Sequence, residues 1–566
     1  MKKRTVIATI IVVCLLLAVG GVLLFSPLMA GCSSEATRSN AFSAGAAVTG
    51  MSTTETTLSE ASEIPLEIQV GCYYLGRFDG KDCVLWFDQV KGKSFSGKAY
   101  AVGTAASASP VSFSGTFKGR RCVLHVDQEK RVLKKIDITA NAQGFSGSCR
   151  EERSQRSFNF QRYTPPTYQP AADTSRYHRE YFDVEVVNNV KYGRASGYWV
   201  SRVENATDYG KIISSGISKT ISEHEFDLYM DIYLPKGDTL QKRPLIMFIH
   251  GGGFFIGDKQ DNPIVLWCKH FARIGYVVAS INYRMGFRPS KRAIERCGYR
   301  AAQDAHAAMR FLVHNKDKYR INTDYLFAAG SSAGGITTLN LAFMRNKNRP
   351  EATQGNLFTH SLGDIETSGN DLKETFRIRC IANMWGSVHD ISMIDNAKVS
   401  IISFHGNADQ VVPYGYDVPF QDLKIPVGDL FFNKMYGSKP IHERARKLGY
   451  RQALHTFEGC GHAPHVDKNN NPTDKFYFIQ KEMTSFFYKE FVPQDVKINH
   501  TSGQNYEVAV NEYVRTSWNV VGGILLSRKG NSVRVLWLDD APEQRLEFYG
   551  RLKNGAAVED TFIRKK

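Results

Sequence analysis

Between residues 178 and 494 the chain alternates short, continuous apolar runs with longer stretches of helical periodicity. Leu245–Ile249, Tyr276–Ile281 and Tyr325–Ala329 are apolar without alternation, the pattern of strands buried on both faces. Val265–Ile274 lies between the first two and reads as a helix. Arg300–Lys316 reads as another, with Ala301, Ala305, Ala308, Phe311 and Leu312 near helical spacing. Further strands are predicted near Ile381–Trp385, Ser400–His405 and Ala453–Phe457, and Phe476–Phe491 as a closing helix. Strands separated by helices predict a mostly parallel, doubly wound sheet, hence an α/β fold. Asn346–Arg377 is polar and strand-poor, either an insertion over a site or a surface loop.

The flanking stretches have a different period. Residues 63–165 consist of short β-branched and aromatic runs between Gly-containing turns, which predicts an antiparallel meander. Cys83–Gln89 (CVLWFDQ) is echoed by Cys122–Gln128 (CVLHVDQ), and Phe-Ser-Gly recurs at Phe95, Phe113 and Phe145. A repeated unit implies similar hairpins. Pro165, Pro166 and Pro170 mark a linker. Residues 495–566 return to β character, and Arg534–Asp539 (RVLWLD) echoes Cys83–Asp88. The echo points to one β-rich module made of 63–165 and 495–566, with the α/β domain inserted. A chance match among Val, Leu and Trp is the other reading.

The N-terminus reads as an export signal. Met1-Lys2-Lys3-Arg4 precedes an uncharged run from Val6 to Phe25, followed by Met29-Ala30-Gly31-Cys32. The Cys after Ala-Gly is similar to a bacterial lipobox, which implies a lipoprotein-type signal over 1–31 and a lipid anchor on Cys32. Met29 departs from the Leu that pattern prefers. An uncleaved anchor helix and plain secretion are the alternatives. All three place the bulk of the chain outside the cytoplasm. Residues 32–62, rich in Ser, Thr, Ala and Gly, read as a flexible tether.

Composition narrows the class. The 566 residues are 42% hydrophobic and 23% charged, with 19 prolines, which excludes a disordered, collagen-like or polytopic membrane chain. The net charge is +16, but the basic residues are spread out and no Lys/Arg run exceeds three. Together with the lack of zinc-finger spacing, this argues against nucleic acid as a partner. Beyond Cys14 and Cys32, eight cysteines remain, with no CxxC, so no metal site is expected. Export permits disulfides, with the pairing open; several free, buried cysteines are the other reading.

Four motifs carry chemistry. Gly330-Ser331-Ser332-Ala333-Gly334 is a G-x-S-x-G between a predicted strand and a predicted helix, the setting of a nucleophile on a sharp turn. His250-Gly251-Gly252-Gly253-Phe254 follows an earlier strand, where glycine N–H groups can face a developing oxyanion. Gly252 and Gly253, with the N–H of Ala333, are the expected oxyanion hole. With these motifs, and with YVVASINYR at 276–284 and Gln303-Asp304, the chain from about 225 to 490 resembles the α/β-hydrolase superfamily. It is most similar to its HGGG-motif carboxylesterase, hormone-sensitive-lipase-like and feruloyl/acetyl-xylan-esterase-like group. The resemblance covers a little under half of the chain and leaves out the β stretches. The segment Phe404–Pro413 (FHGNADQVVP) resembles the part that carries the family's acid, which implies Asp409, with Asp390 as rival. Gly459-Cys460-Gly461-His462 resembles the loop of the catalytic His, which implies His462, with His465 as alternative. The order Ser332, Asp409, His462 is the one this fold uses.

The resemblance implies a serine carboxylic-ester hydrolase with a Ser-His-Asp triad, an acyl-enzyme intermediate and no cofactor. Tannase-like relatives join a Cys beside the nucleophile to one beside the His. Ser331 holds the first of those positions, which disfavours that subgroup and leaves Cys460 another partner or none. The expected substrates are small esters or acetyl and feruloyl esters of polysaccharides. An exposed Trp86 and Trp537 would suit a sugar surface; buried ones would mark core. The rival readings are a prolyl-oligopeptidase-type peptidase, for which the β module is too short, and a non-catalytic binding protein on a hydrolase scaffold.

Overall fold

The computed structural model describes residues 68–565, leaving out 79, 119–120, 127–130, 142, 152–153, 166–175, 202–219, 221, 289, 358, 422–431, 468, 493–495 and 510–512. The export signal, Cys32 and the tether lie outside the described residues. Among the described residues no helix is long and apolar enough to cross a membrane. The chain divides into two compact units.

The first unit is built mainly from Thr174–Gln494. Its sheet has eight strands: β1 (Asp183–Gly197), β2 (His224–Lys236), β3 (Arg243–Ile249), β4 (Val277–Ile281), β5 (Ile321–Ser331), β6 (Ile378–Met384), β7 (Ser400–Gly406) and β8 (Gln452–Phe457). Their order is β1-β2-β4-β3-β5-β6-β7-β8. β1 and β2 pair antiparallel, as do β2 and β4; every pair from β4 to β8 is parallel. Among the described residues, five helices of ten residues or more complete the layers: α1 (Asn262–Arg273), α2 (Lys291–His314), α3 (Ala333–Phe343), α4 (Ser438–Lys447) and α5 (Asp474–Tyr488). β3 and β4 are buried at every position, which is why they read as unbroken apolar runs. This strand order, with helices between parallel strands, is that of an α/β-hydrolase.

The polar segment 346–377 is strapped along α2. Arg296 donates to the carbonyls of Ala352 (3.1 Å) and His360 (2.9 Å), and Gln303 donates to that of Leu362 (2.6 Å). It forms two short 3-10 turns, Asn346–Asn348 and Glu351–Thr353.

The second unit combines the described residues of 68–165 with those of Asp495–Lys553 and Ala557–Lys566. Eight strands between Tyr73 and Arg162 form an antiparallel meander that closes into a barrel. Closure comes from the first strand pairing with the last, Tyr74 opposite Arg162. The barrel is filled by rings, among them Tyr74, Phe87, Phe95, Phe113, Phe145 and Phe160. The Phe-Ser-Gly repeat has a steric origin. Phe and Gly share the inner face, and a Cβ on Gly115 would sit 2.3 Å from the Phe95 ring. Ser107–Ala108 leaves the barrel and pairs in parallel with Trp537–Leu538 of the C-terminal stretch. Val84, Tyr100 and Ala108 share a core cluster with Ile524, Leu536 and Leu538. Trp537 is fully buried and donates to the Tyr506 hydroxyl at 2.8 Å, so it is core and not a sugar platform. Trp86 is half-buried beneath the Lys98 ammonium.

No disulfide joins the eight described cysteines. Geometry gives a reason in the barrel. Cys122 lies opposite Ile136, and Ile136 opposite Cys149, so a strand stands between the two thiols. Two strand spacings are about 9–10 Å, beyond disulfide reach.

Candidate active site

The candidate residues all lie just past the carboxyl ends of parallel strands. Ser332 sits between β5 and α3 with φ 56° and ψ −121°, outside the ordinary regions for a residue with a side chain. The turn is fixed by Ser332 N–H donating to Met384 O (2.9 Å) and Ile336 N–H to Ser332 O (2.9 Å). Gly334 is required because a Cβ there would lie 2.0 Å from Ile249 O of β3. The resulting elbow presents the Ser332 hydroxyl at the amino end of α3.

His462 follows β8 and stands between the two other candidates. Its Nε2 lies 2.9 Å from Ser332 Oγ, and its Nδ1 lies 2.7 Å from Asp409 Oδ2. The Asp409 carboxylate is buried and accepts the N–H groups of Val411 (2.8 Å) and Val412 (3.0 Å) through Oδ1. Burial alone would raise its pKa. The neighbouring His462 and His405 outweigh burial and hold it well below the usual carboxylate range. Asp409 is thus a fixed anion beside His462 Nδ1, while Nε2 faces Ser332 Oγ.

The rivals are placed elsewhere. Asp390 caps the turn Ile391–Asn396, accepting Ser392 N–H (2.9 Å) and Asn348 Nδ2–H (2.8 Å). His465 is buried against Trp385 and Trp267, with ring centroids 4.8 and 5.5 Å away. Burial pushes its pKa down to about 3, so it is a neutral core ring. Cys460 is half-buried and free, and its carbonyl accepts Ala408 N–H (3.0 Å) in the acid loop.

In the glycine loop after β3 the carbonyls of His250, Gly251 and Gly252 have internal partners. The Tyr283 hydroxyl donates to His250 O (3.0 Å) and approaches Gly251 O (3.4 Å). Gly252 O accepts the N–H groups of Phe255 and Ile256, both at 3.0 Å. Gly252 itself has φ 105°, and a Cβ there would lie 1.9 Å from Ile256 O. Among the described residues, no internal acceptor takes the N–H of Gly252, Gly253 or Ala333. Those three N–H groups are therefore uncommitted within the fold.

The 276–284 segment supports this loop. Asn282 Oδ1 accepts Lys259 N–H (2.6 Å), Tyr283 holds the loop carbonyls, and Arg284 pairs with Asp304 in a buried salt bridge (2.7 Å). Beyond its place in that segment, Tyr283 carries no sequence signal as a loop anchor. No cluster of three metal-ligating side chains occurs among the described residues.

Fold and site together define an α/β-hydrolase domain with a Ser-His-Asp constellation at its strand ends. Within it, residues 230–390 match the BD-FAE family model. Gut esterase 1 of Caenorhabditis elegans is 29% identical over 116 residues, 20% of either chain. The cAMP-regulated D2 protein of Dictyostelium discoideum is 28% identical over 127 residues, 22% of this chain and 23% of that one. The chain thus spans about a fifth of the length of these curated relatives. Among solved structures, native esterase 2 of Thermogutta terrifontis aligns over 56% of this chain and 95% of its own, at 19% identity and TM-score 0.34. A truncated carbohydrate esterase from gut microbiota aligns over 57% and 100%, at 20% identity and TM-score 0.33.

Proposed function

We propose that this chain is an exported serine esterase that cleaves carboxylic esters through an acyl-enzyme, with esters on polysaccharides as its natural substrates. The observation that carries the reading is the line of contacts from Ser332 Oγ through His462 to Asp409, at 2.9 and 2.7 Å. Ser332 attacks the ester carbonyl while His462 Nε2 takes its proton. The tetrahedral oxyanion meets the N–H groups of Gly252, Gly253 and Ala333, reinforced by the amino end of the eleven-residue α3. His462 then protonates the departing alcohol, and water, activated by the same ring, hydrolyses the acyl-enzyme. Asp409 stabilises the imidazolium present at both stages. No step needs a cofactor.

The match of residues 230–390 to an α/β-hydrolase-like esterase family supports ester chemistry over peptide cleavage. Polysaccharide esters are proposed from the likeness of the HGGG motif to that of deacylating esterases, and from the signal-like N-terminus. The purified chain is expected to release acetate from p-nitrophenyl acetate and from acetylated xylan, or ferulate from methyl ferulate. Ser332→Ala serves as the blank. Turnover of aryl esters alone would remove the polysaccharide assignment. Cleavage of a dipeptidyl chromogenic substrate faster than any ester would replace the reading with a peptidase, and failure to label with a fluorophosphonate would favour a binding protein.

We also propose lipid anchoring through Cys32. Cells expressing the chain should incorporate labelled palmitate into it, and Cys32→Ser should abolish the incorporation. Labelling that survives the substitution would exclude this anchor.

A further inference from the structure

Beneath the triad runs a chain of buried polar side chains drawn from four elements. His405, in β7, is fully buried. Its Nε2 lies 3.1 Å from Val412 O and 3.3 Å from Asp409 Oδ2. Both oxygens are acceptors, so Nε2 carries a proton. Its Nδ1 lies 2.8 Å from Ser438 Oγ of α4. Ser438 Oγ in turn accepts from Asn383 Nδ2 of β6 at 3.1 Å.

The Asn383 amide has one orientation. Its Oδ1 accepts Gly386 N–H (2.9 Å), and its second N–H donates to Ser403 Oγ (3.1 Å). Ser403 then donates to His442 Nε2 (2.8 Å), and His442 Nδ1–H donates to Gln452 Oε1 (2.6 Å) at the start of β8. Burial pushes the His442 pKa down to about 4, so this ring is neutral and the directions of its two bonds are set. Asn383, Ser403 and Ser438 have no exposed surface. A satisfied network of this kind is rigid, because each member has only one arrangement that leaves no donor or acceptor orphaned.

We propose that His405, oriented by Asn383 through Ser438, is a positioning residue for the Ser332 reaction. It braces the Asp409–Val412 turn and shares the Asp409 carboxylate with His462. The proposal rests on the triad reading above. The titratable groups facing His462 are Asp409 and His465; those facing His405 are Asp409 and Tyr414, whose ring lies 5.6 Å away. Removing the His405 N–H leaves more of the Asp409 charge to His462. The imidazolium is then favoured, and the acid limb of kcat/KM moves to higher pH. The turn also loosens, which lowers kcat.

The test is kinetic, on the full chain, with p-nitrophenyl acetate. His405→Phe is expected to lower kcat about 10- to 100-fold, the range for a displaced catalytic group. KM should stay the same and the acid limb should rise. His405→Gln, whose amide can donate to Val412 and accept from Ser438, should recover most of the loss. If His405→Phe does not fold, Ser438→Ala deletes one oxygen and should move the limb in the same direction. Folded variants with wild-type kcat and an unmoved limb would overturn the proposal while leaving the triad intact, provided Ser332→Ala is inactive. Retained turnover in Ser332→Ala would bring down both.

Discussion

Ser332→Ala is expected to lower kcat for aryl acetates by on the order of 10⁵–10⁶, because nucleophile and base act as one unit. His462→Ala should cost about as much, and the double variant little more, since either change alone already prevents acyl-enzyme formation. Asp409→Asn should lose about 10⁴ in kcat: an amide at that point no longer enforces Nδ1–H on His462, so Nε2 is no longer reserved as the acceptor for Ser332. KM should move little in each case, because none of these groups grips the remote parts of the substrate. Active-site titration with a fluorophosphonate normalises the wild-type rate. A Ser332→Ala protein that keeps more than about 1% of wild-type kcat would contradict the assignment, since that loss is far smaller than a triad supplies.

The candidate triad was legible because each of its members sits in a short motif whose constraint is local. Gly334 is fixed by Ile249 O, and Gly252 by Ile256 O, so both glycines are imprinted in the sequence. The parallel strands were legible for a similar reason: burial on both faces leaves an unbroken apolar run, as in β3 and β4. Helix α2 starts at Lys291, nine residues before the predicted start at Arg300. Its first turns carry Arg296, buried only because carbonyls of the 346–377 segment receive it. No local pattern announces that partner. β1 was hidden by two irregularities, between Val187 and Val190 and between Lys191 and Gly193, which break strict alternation. Barrel closure and the Asn383–Ser438–His405 network escape notice for a shared reason: they depend on residues distant in sequence meeting across the fold.

Acid lability follows from three imidazoles that the fold keeps neutral. Burial pushes His306 and His465 down to about 3 and His442 to about 4. His306 on α2 is the starkest: fully buried beside Phe376, with neither ring nitrogen hydrogen-bonded among the described residues. Above pH about 6.5, the ordinary histidine value, folded and unfolded chains are both neutral at these sites. Below it the unfolded chain binds protons that the folded one refuses, so stability falls as pH falls, until the folded values near 3–4 are reached. Each ring contributes a slope of about 1.4 kcal/mol per pH unit, so three give about 4 kcal/mol per unit. Asp409 acts in the opposite sense of charge and lower in pH. Its depressed pKa stabilises the fold above the unfolded value near 3.9, and that contribution is lost only as pH falls further. The histidines therefore act first. Against a typical stability of about 5–15 kcal/mol, the chain should unfold within about two to three pH units below 6.5. Urea midpoints followed by tryptophan fluorescence should drop steeply between pH 7.5 and 5. His306→Leu should remove about one third of the slope and raise stability at pH 7.5, because it deletes an unpaired buried polar group. A midpoint that stays level across this range, or a slope unchanged in His306→Leu, would show that these rings find protons or partners inside the fold.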